Sequence, residues 1–217
     1  MTRLETLTRQ PGGEPIHIEL PEILRGERVL VRPYRSGDGA AVFEAIEESR
    51  EHLRPWMPWV DTHTEVADSE AFVRRAHAGW ARRSDLVVGI WDGAGERLLG
   101  SSGLHPRNWE TPCFEIGYWL RASAEGQGYA GEAVRLLVRL AFETLGANRL
   151  FLTCDARNER SAAVARRAGF VHEGTLRNDT RDHHGNLRDM MIFALVPEDY
   201  RRLYEPPTGM RPPDCEH

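Results

Sequence analysis

The residues Gly126-Gln127-Gly128-Tyr129-Ala130-Gly131 follow a strand-like segment, Phe114 to Leu120, and lead into an amphipathic helix. That order suits a phosphate site. The first turn of a helix carries N–H groups without intrahelical acceptors and the positive end of the macrodipole, and glycine lets a bulky anion approach the backbone. Two further groups have chemistry to offer. Glu115 lies between apolar Phe114 and Ile116, so strand alternation turns its carboxylate to the opposite face, as a solvated side chain or as a base. Asn158-Glu159-Arg160-Ser161 opens a later helix, with Asn158 as N-cap and Ser161 as the N3 residue whose N–H the cap accepts.

Other reactive side chains read as structural. Cys154 ends an apolar strand with no histidine beside it in sequence, which fits packing better than a nucleophile. Asp182, His183 and His184 lie in a polar turn beside Gly185-Asn186, with His105 and His172 elsewhere; adjacent histidines in such a turn are solvated, so no metal is expected.

Gly126-x-Gly128-x-x-Gly131 also matches the dinucleotide fingerprint formally, and Asp155 ends the next strand where a ribose-binding acid would stand. Three features oppose a nicotinamide or flavin site. Arg121 to Glu125 intervene between strand and first glycine, the strand carries Glu115 and follows a hairpin, and only about sixty residues remain after Asp155. A purely structural glycine turn is the other alternative.

Several ordered blocks together resemble one family. Glu115-Ile116-Gly117-Tyr118-Trp119-Leu120, the glycine turn with Glu132-Ala133, Asn158-Glu159-Arg160-Ser161 and Ala168-Gly169-Phe170 are similar to the GNAT N-acetyltransferases, in the branch of the Rim-type enzymes that acetylate ribosomal-protein N-termini. Arg28-Val29-Leu30-Val31-Arg32-Pro33, the Trp56 to Trp59 loop, Gly174 to Arg177, Gly185 and Asp189 extend the resemblance over residues 28–196. It implies acetyl-CoA as co-substrate, lying where two neighbouring parallel strands splay apart. Tyr118, Trp119 and Leu120 would pair with the pantetheine, Gln127, Gly128, Tyr129, Ala130 and Gly131 would hold the pyrophosphate, and Asn158 would contact the pantetheine. A primary amine, on a protein N-terminus or a small molecule, would attack the thioester directly. Glu115 would be the base and Ser161 would assist the departing thiolate, while Trp56, Trp59 and Trp109 would flank the acceptor entrance. The alternative from another class is a CoA-binding sensor or interaction module without turnover. One position departs from the family pattern: Glu125 stands where glutamine or arginine is usual, and a carboxylate beside a pyrophosphate is unfavourable unless it turns outward.

The elements that must position these residues follow from periodicity. The expected fold is α/β (α+β), a mixed, mostly antiparallel sheet of six or seven strands flanked by helices. Strands are expected at Arg28–Pro33, Leu86–Trp91, Leu98–Leu104, Cys113–Leu120, Leu150–Cys154, Phe170–Val171 and Met190–Val196, and helices over Asp38–Ser49, Thr64–Arg83, Tyr129–Leu145 and from Asn158 to Gly169. Residues 1–26 read as an irregular arm in which Ile16, Ile18 and Leu20 add an edge strand, 27–197 as the transferase domain, and 198–217 as a short helix with a disordered tail.

The 217 residues suit one domain, and a formal net charge of -5 gives no basic stripe for nucleic acid. Three cysteines without pairing or ligand spacing fit a reducing compartment, and no apolar run reaches membrane-span length, so a cytoplasmic protein is expected. A homodimer, the commonest assembly, is the default oligomer.

Overall fold

The computed structural model describes residues 15–204. The start of the N-terminal arm, the tail after Tyr204 and Cys215 lie outside the described residues. An eight-stranded sheet has the order β1-β2-β3-β4-β5-β6-β8-β7. Its strands are β1 (Leu24–Arg25), β2 (Val29–Pro33), β3 (Leu86–Asp92), β4 (Leu98–Asn108), β5 (Cys113–Leu120), β6 (Arg149–Asp155), β7 (Val171–Arg181) and β8 (Leu187–Leu195). All neighbours are antiparallel except β5 and β6.

The eighth strand is β1, from the N-terminal arm, and it does not fall where the apolar alternation of Ile16, Ile18 and Leu20 suggested. Pro15–His17 forms a single 3-10 turn, and the Ile18 carbonyl is taken by the Arg83 guanidinium at 2.8 and 3.2 Å, so that stretch does not pair. Leu24 and Arg25 pair with Val31 and Leu30 instead. The hairpin of β7 and β8 is much longer than Phe170–Val171 suggested. Most of β7 is exposed, so hydrophobicity gave no trace of it.

Helices α1 (Gly39–Leu53) and α2 (Val66–Arg82) cover one face of the sheet, joined by the 3-10 turn Pro58–Thr62. Helices α3 (Tyr129–Arg139), α4 (Glu159–Arg167) and α5 (Pro197–Tyr204) are associated with the other. Two apolar clusters result. The first joins Phe114, Ile116, Leu150 and Leu152 to Ala133, Val134 and Leu137 of α3 and Ala162 and Ala165 of α4; the second joins Tyr34, Val87, Trp91 and Trp119 to Val42 and Ile46 of α1 and Val73 and Ala76 of α2. After Arg139 the α3 path widens into a π-type turn, Leu140–Thr144, before Gly146 at φ 63° ends it. Among the described residues no helix is long and apolar enough to cross a membrane, and no group of three or more His, Cys, Asp or Glu could hold a metal ion.

Candidate active site

Strand β5 divides the two clusters residue by residue. Phe114 and Ile116 enter the α3 and α4 core, so Glu115, Gly117 and Trp119 project to the α1 and α2 face. Strand β6 accompanies β5 only over Cys113↔Arg149, Phe114↔Leu150 and Glu115↔Phe151. From Ile116 to Leu120, β5 retains β4 on one side and has no strand partner on the other. An open strand edge therefore begins immediately beyond Glu115. Its N–H and C=O groups can pair with an extended chain laid along them.

The glycine turn lies further along the same path. Gly126 at φ 70° and Gly128 at φ 84° are both left-handed, which favours glycine, and Gly128 is the N-cap residue of α3. The first-turn N–H groups of Tyr129, Ala130 and Gly131 follow, without intrahelical acceptors. Arg28 reaches across this turn: its Nη1 donates to the Gln127 carbonyl at 2.7 Å and its Nε to Glu132 Oε2 at 3.1 Å. Glu132, buried in the first turn of α3, also accepts the Arg28 backbone N–H at 2.8 Å. Burial acts to raise its pKa, but the bonds from Arg28 and Val29 prevail and hold the carboxyl below the usual range.

Glu125 is turned away from an unpaired state. Its two oxygens lie 2.5 Å from Arg160 Nη1 at the start of α4 and 2.5 Å from His52 Nε2 on α1. The unfavourable carboxylate of the sequence is thus paired with a guanidinium, which brings a positive charge to the same end of the site.

Glu115 is half-buried, and both of its oxygens are engaged. Oε1 accepts the Thr153 hydroxyl at 3.0 Å, and Oε2 accepts Arg107 Nε at 3.1 Å and the adjacent Nη2. On the opposite face the Tyr118 phenol lies 3.0 Å from the Ser161 carbonyl and 2.9 Å from its Oγ. Burial first, against the lowering effect of the Ser161 bond, pushes the Tyr118 pKa up to about 12, so the phenol keeps its proton at neutral pH. Asn158 Oδ1 accepts the Ser161 N–H at 3.0 Å, the capping contact expected of this pair. Cys154 is buried beside Ser161, and burial pushes its thiol up, away from the thiolate a nucleophile needs.

The aromatic candidates divide. Trp59 meets Trp119 at 5.9 Å between ring centres and His63 at 5.6 Å, on the Glu115 face of β5. Trp56 is half-buried in the bend between α1 and the 3-10 turn. Trp109 stands edge-on to Phe114 at 5.1 Å, against the α3 cluster and on the other side of β5 from Glu115.

Several contributors were missed from sequence: Arg107 and Thr153, which hold Glu115, and Arg28, His52 and Arg160 around the glycine turn. The expected strand Leu98–Leu104 stopped short of His105 and Arg107; β4 runs on to Asn108, and its register with β5 brings both to the face of Glu115, which nothing in the sequence shows.

Known proteins are similar to this chain in sequence and in fold. The family model described as an acetyltransferase (GNAT) domain matches residues 28–171. YdaF of Bacillus subtilis (strain 168), named provisionally as a ribosomal N-acetyltransferase, is 28% identical over 179 residues, covering 80% of this chain and 94% of its own. The ribosomal-protein-serine acetyltransferase of Escherichia coli (strain K12) is 38% identical over 87 residues, 38% of this chain and 45% of its own. Among solved structures, RimL, a ribosomal L7/L12 alpha-N-protein acetyltransferase in complex with coenzyme A, superposes with a TM-score of 0.76 at 20% identity, covering 81% of this chain and 98% of that one. The microcin C7 self-immunity acetyltransferase MccE, in complex with acetyl-CoA and AMP, gives a TM-score of 0.74 at 20% identity, with 79% and 93% covered. At that identity the two structures establish a shared fold.

Proposed function

The chain belongs to the GNAT acetyltransferase family, and on that premise we propose that residues 27–197 form an N-acetyltransferase moving acetyl from acetyl-CoA to a primary amine, on a protein N-terminus or a small molecule. One observation carries the reading: β5 and β6 part immediately after Glu115, and the open edge of β5 leads to a glycine turn at the start of α3. Tyr118, Trp119 and Leu120 would present backbone partners to the pantetheine, Gln127 to Gly131 would hold the pyrophosphate, and Asn158 would border the pantetheine beside the α4 N-terminus. The bound cofactor supplies the activated acetyl group; the residues orient it and move protons.

Glu115 sits where the open edge starts, so its carboxylate is placed to attract an ammonium and take its proton, directly or through water. The free amine then forms the new C–N bond as the C–S bond breaks, the electron pair leaves on sulfur, and the second proton lost by the nitrogen ends on that thiolate as the free thiol. Ser161, backed by a Tyr118 phenol that stays protonated, offers a hydroxyl to that sulfur on the opposite face. Trp59 and Trp119, with Trp56 nearby, wall the side from which the amine approaches. Trp109, packed on Phe114, belongs to the other side of the strand.

The test is thermal stabilisation by acetyl-CoA, CoA and NAD side by side, followed by amine-dependent thiol release with serine- and alanine-initiated peptides and a small-amine panel. A ligand at a hundred times its Kd stabilises by about 2.7 kcal/mol. Stabilisation by the CoA species and release with an amine support the reading. Stabilisation without release makes the chain a CoA-binding module without turnover, and stabilisation by NAD alone removes the acetyltransferase reading.

A further inference from the structure

Across β4 from Glu115 stands His105, its register partner. The imidazole Nδ1 lies 2.6 Å from Asp85 Oδ1. Asp85 immediately precedes β3, whose Leu86 pairs with Leu104, so Asp85, His105 and Glu115 fall in one row across three strands on the α1 and α2 face. Side chains directly opposite in an antiparallel pair have Cβ atoms about 5 Å apart.

The ring's other nitrogen is the consequential one. Nε2 lies 3.7 Å from where a Cβ on Gly117 would stand, and Cε1 lies 3.3 Å from the equivalent point at Gly103. The imidazole thus lies over two positions without side chains, with Nε2 towards Gly117, the first same-face residue of β5 beyond its last pair with β6. A carboxylate on Nδ1 favours the tautomer with hydrogen on Nδ1, which leaves the Nε2 lone pair as a proton acceptor. Glu115 itself is held at both oxygens by Thr153 and Arg107.

We propose that His105 is a second proton acceptor of the acetyl-transfer reaction, positioned by Asp85 and coupled to Glu115. The Glu115 carboxylate takes a proton from the bound ammonium, and His105 Nε2 takes that proton from Glu115, directly or through one water. The imidazolium, stabilised by the Asp85 carboxylate, gives it up to solvent at the partly open face of the ring, and Glu115 is ionised again for the next turnover. The charged groups in this row are Asp85 before β3, Arg107 on β4 and Glu115 on β5; Arg32 of β2, on the same face, lies over Trp91 and is paired with Asp38 at 2.7 Å. From the helical layer His63 faces Ser69 at 2.8 Å and the rings of Phe72 and Trp59, and burial lowers its pKa, so its titration is separate.

This inference rests on the acetyl-transfer reading, and the experiment separates the two. Thiol release from acetyl-CoA with a serine-initiated peptide and with spermidine is followed against pH for the wild type, His105→Gln and Asp85→Asn. Stabilisation by acetyl-CoA is measured on each variant, and long-range proton–nitrogen spectra report the imidazole tautomer. The expected result is an acid limb in the wild-type kcat profile that His105→Gln lacks, a fall in kcat of about 10²-fold with KM for acetyl-CoA and stabilisation by it unchanged, and Nδ1-H in the wild type but not in Asp85→Asn. Release by the wild type with the same profile in His105→Gln overturns the role of His105 alone, as does an Nε2-H tautomer in the wild type. A wild type that releases no thiol with either amine overturns both readings.

Discussion

Glu115 is the last residue of β5 paired with β6, and Phe151 is its partner there. The catalytic candidate therefore stands at the apex of the opening between the two strands rather than along either side of it. An amine held by this carboxylate is next to the first unpaired stretch of β5, where an extended thioester-bearing arm would end. Each expectation below follows from that placement or from the elements that maintain it.

Glu115→Gln keeps the shape and the hydrogen-bond acceptor for Thr153 but cannot take a proton. The expected outcome is a kcat lower by about 10²- to 10³-fold, with stabilisation by acetyl-CoA unaltered. Steady-state thiol release and thermal melting measure the two. A variant with wild-type kcat would remove Glu115 as the base.

The two left-handed glycines of the turn separate backbone strain from cofactor binding. Both cost about 1–2 kcal/mol when given a side chain. A Cβ at Gly126 meets nothing within 4 Å, whereas one at Gly128 meets the Arg28 guanidinium at 3.0 Å. Gly126→Ala is therefore expected to lower the melting temperature while retaining the response to acetyl-CoA. Gly128→Glu adds a carboxylate where the pyrophosphate would bind and is expected to lose that response. Equal CoA responses in the two variants would place the pyrophosphate elsewhere.

Glu125 pairs with Arg160 and His52. Replacing it by glutamine frees the guanidinium to face an anion, so Glu125→Gln is expected to bind acetyl-CoA a few-fold more tightly. Arg160→Ala leaves the carboxylate beside the anion and is expected to weaken binding by a similar factor, in keeping with the ~1 kcal/mol scale of partly exposed pairs. Titration calorimetry at two salt concentrations decides it; affinities that rank the other way contradict the pairing argument.

Arg121, buried after β5, donates Nε to Glu48 at 2.8 Å and Nη2 to Glu44 at 2.7 Å, and so fixes the start of the turn against α1. The Arg121 bond, outweighing desolvation, lowers the Glu48 pKa from 4.5 to about 2. A carboxylate with a depressed folded pKa adds stability above its unfolded pKa and loses it on acidification. Stability is expected to fall as pH drops from 4.5 to about 2 and Glu48 is protonated. Arg121→Met should flatten that limb and cost about 2 kcal/mol at neutral pH, since it leaves the Leu98 carbonyl without its buried donor. Urea melts of both proteins across that window provide the check, and parallel acid limbs would refute the assignment.

What the sequence determined by itself were the features carried by local chemistry. The alternation of Phe114 to Leu120 yields β5, the small and apolar stripe of Ala133, Val134 and Leu137 yields α3, and Asn158 with Ser161 yields a capped helix start, because each depends on neighbours within a turn or a strand. The glycine turn was legible for the same reason: a left-handed backbone favours one residue type, and Gly126 and Gly128 supply it. Tertiary structure alone decided which side chains share a face and a row. The exposed length of β7 and the replacement of an Ile16–Leu20 strand by Leu24–Arg25 depend on partners far along the chain. So does the group around Glu115: Asp85, His105, Arg107 and Thr153 reach it through strand register, and a shift of one residue in either pairing would turn them to the opposite face.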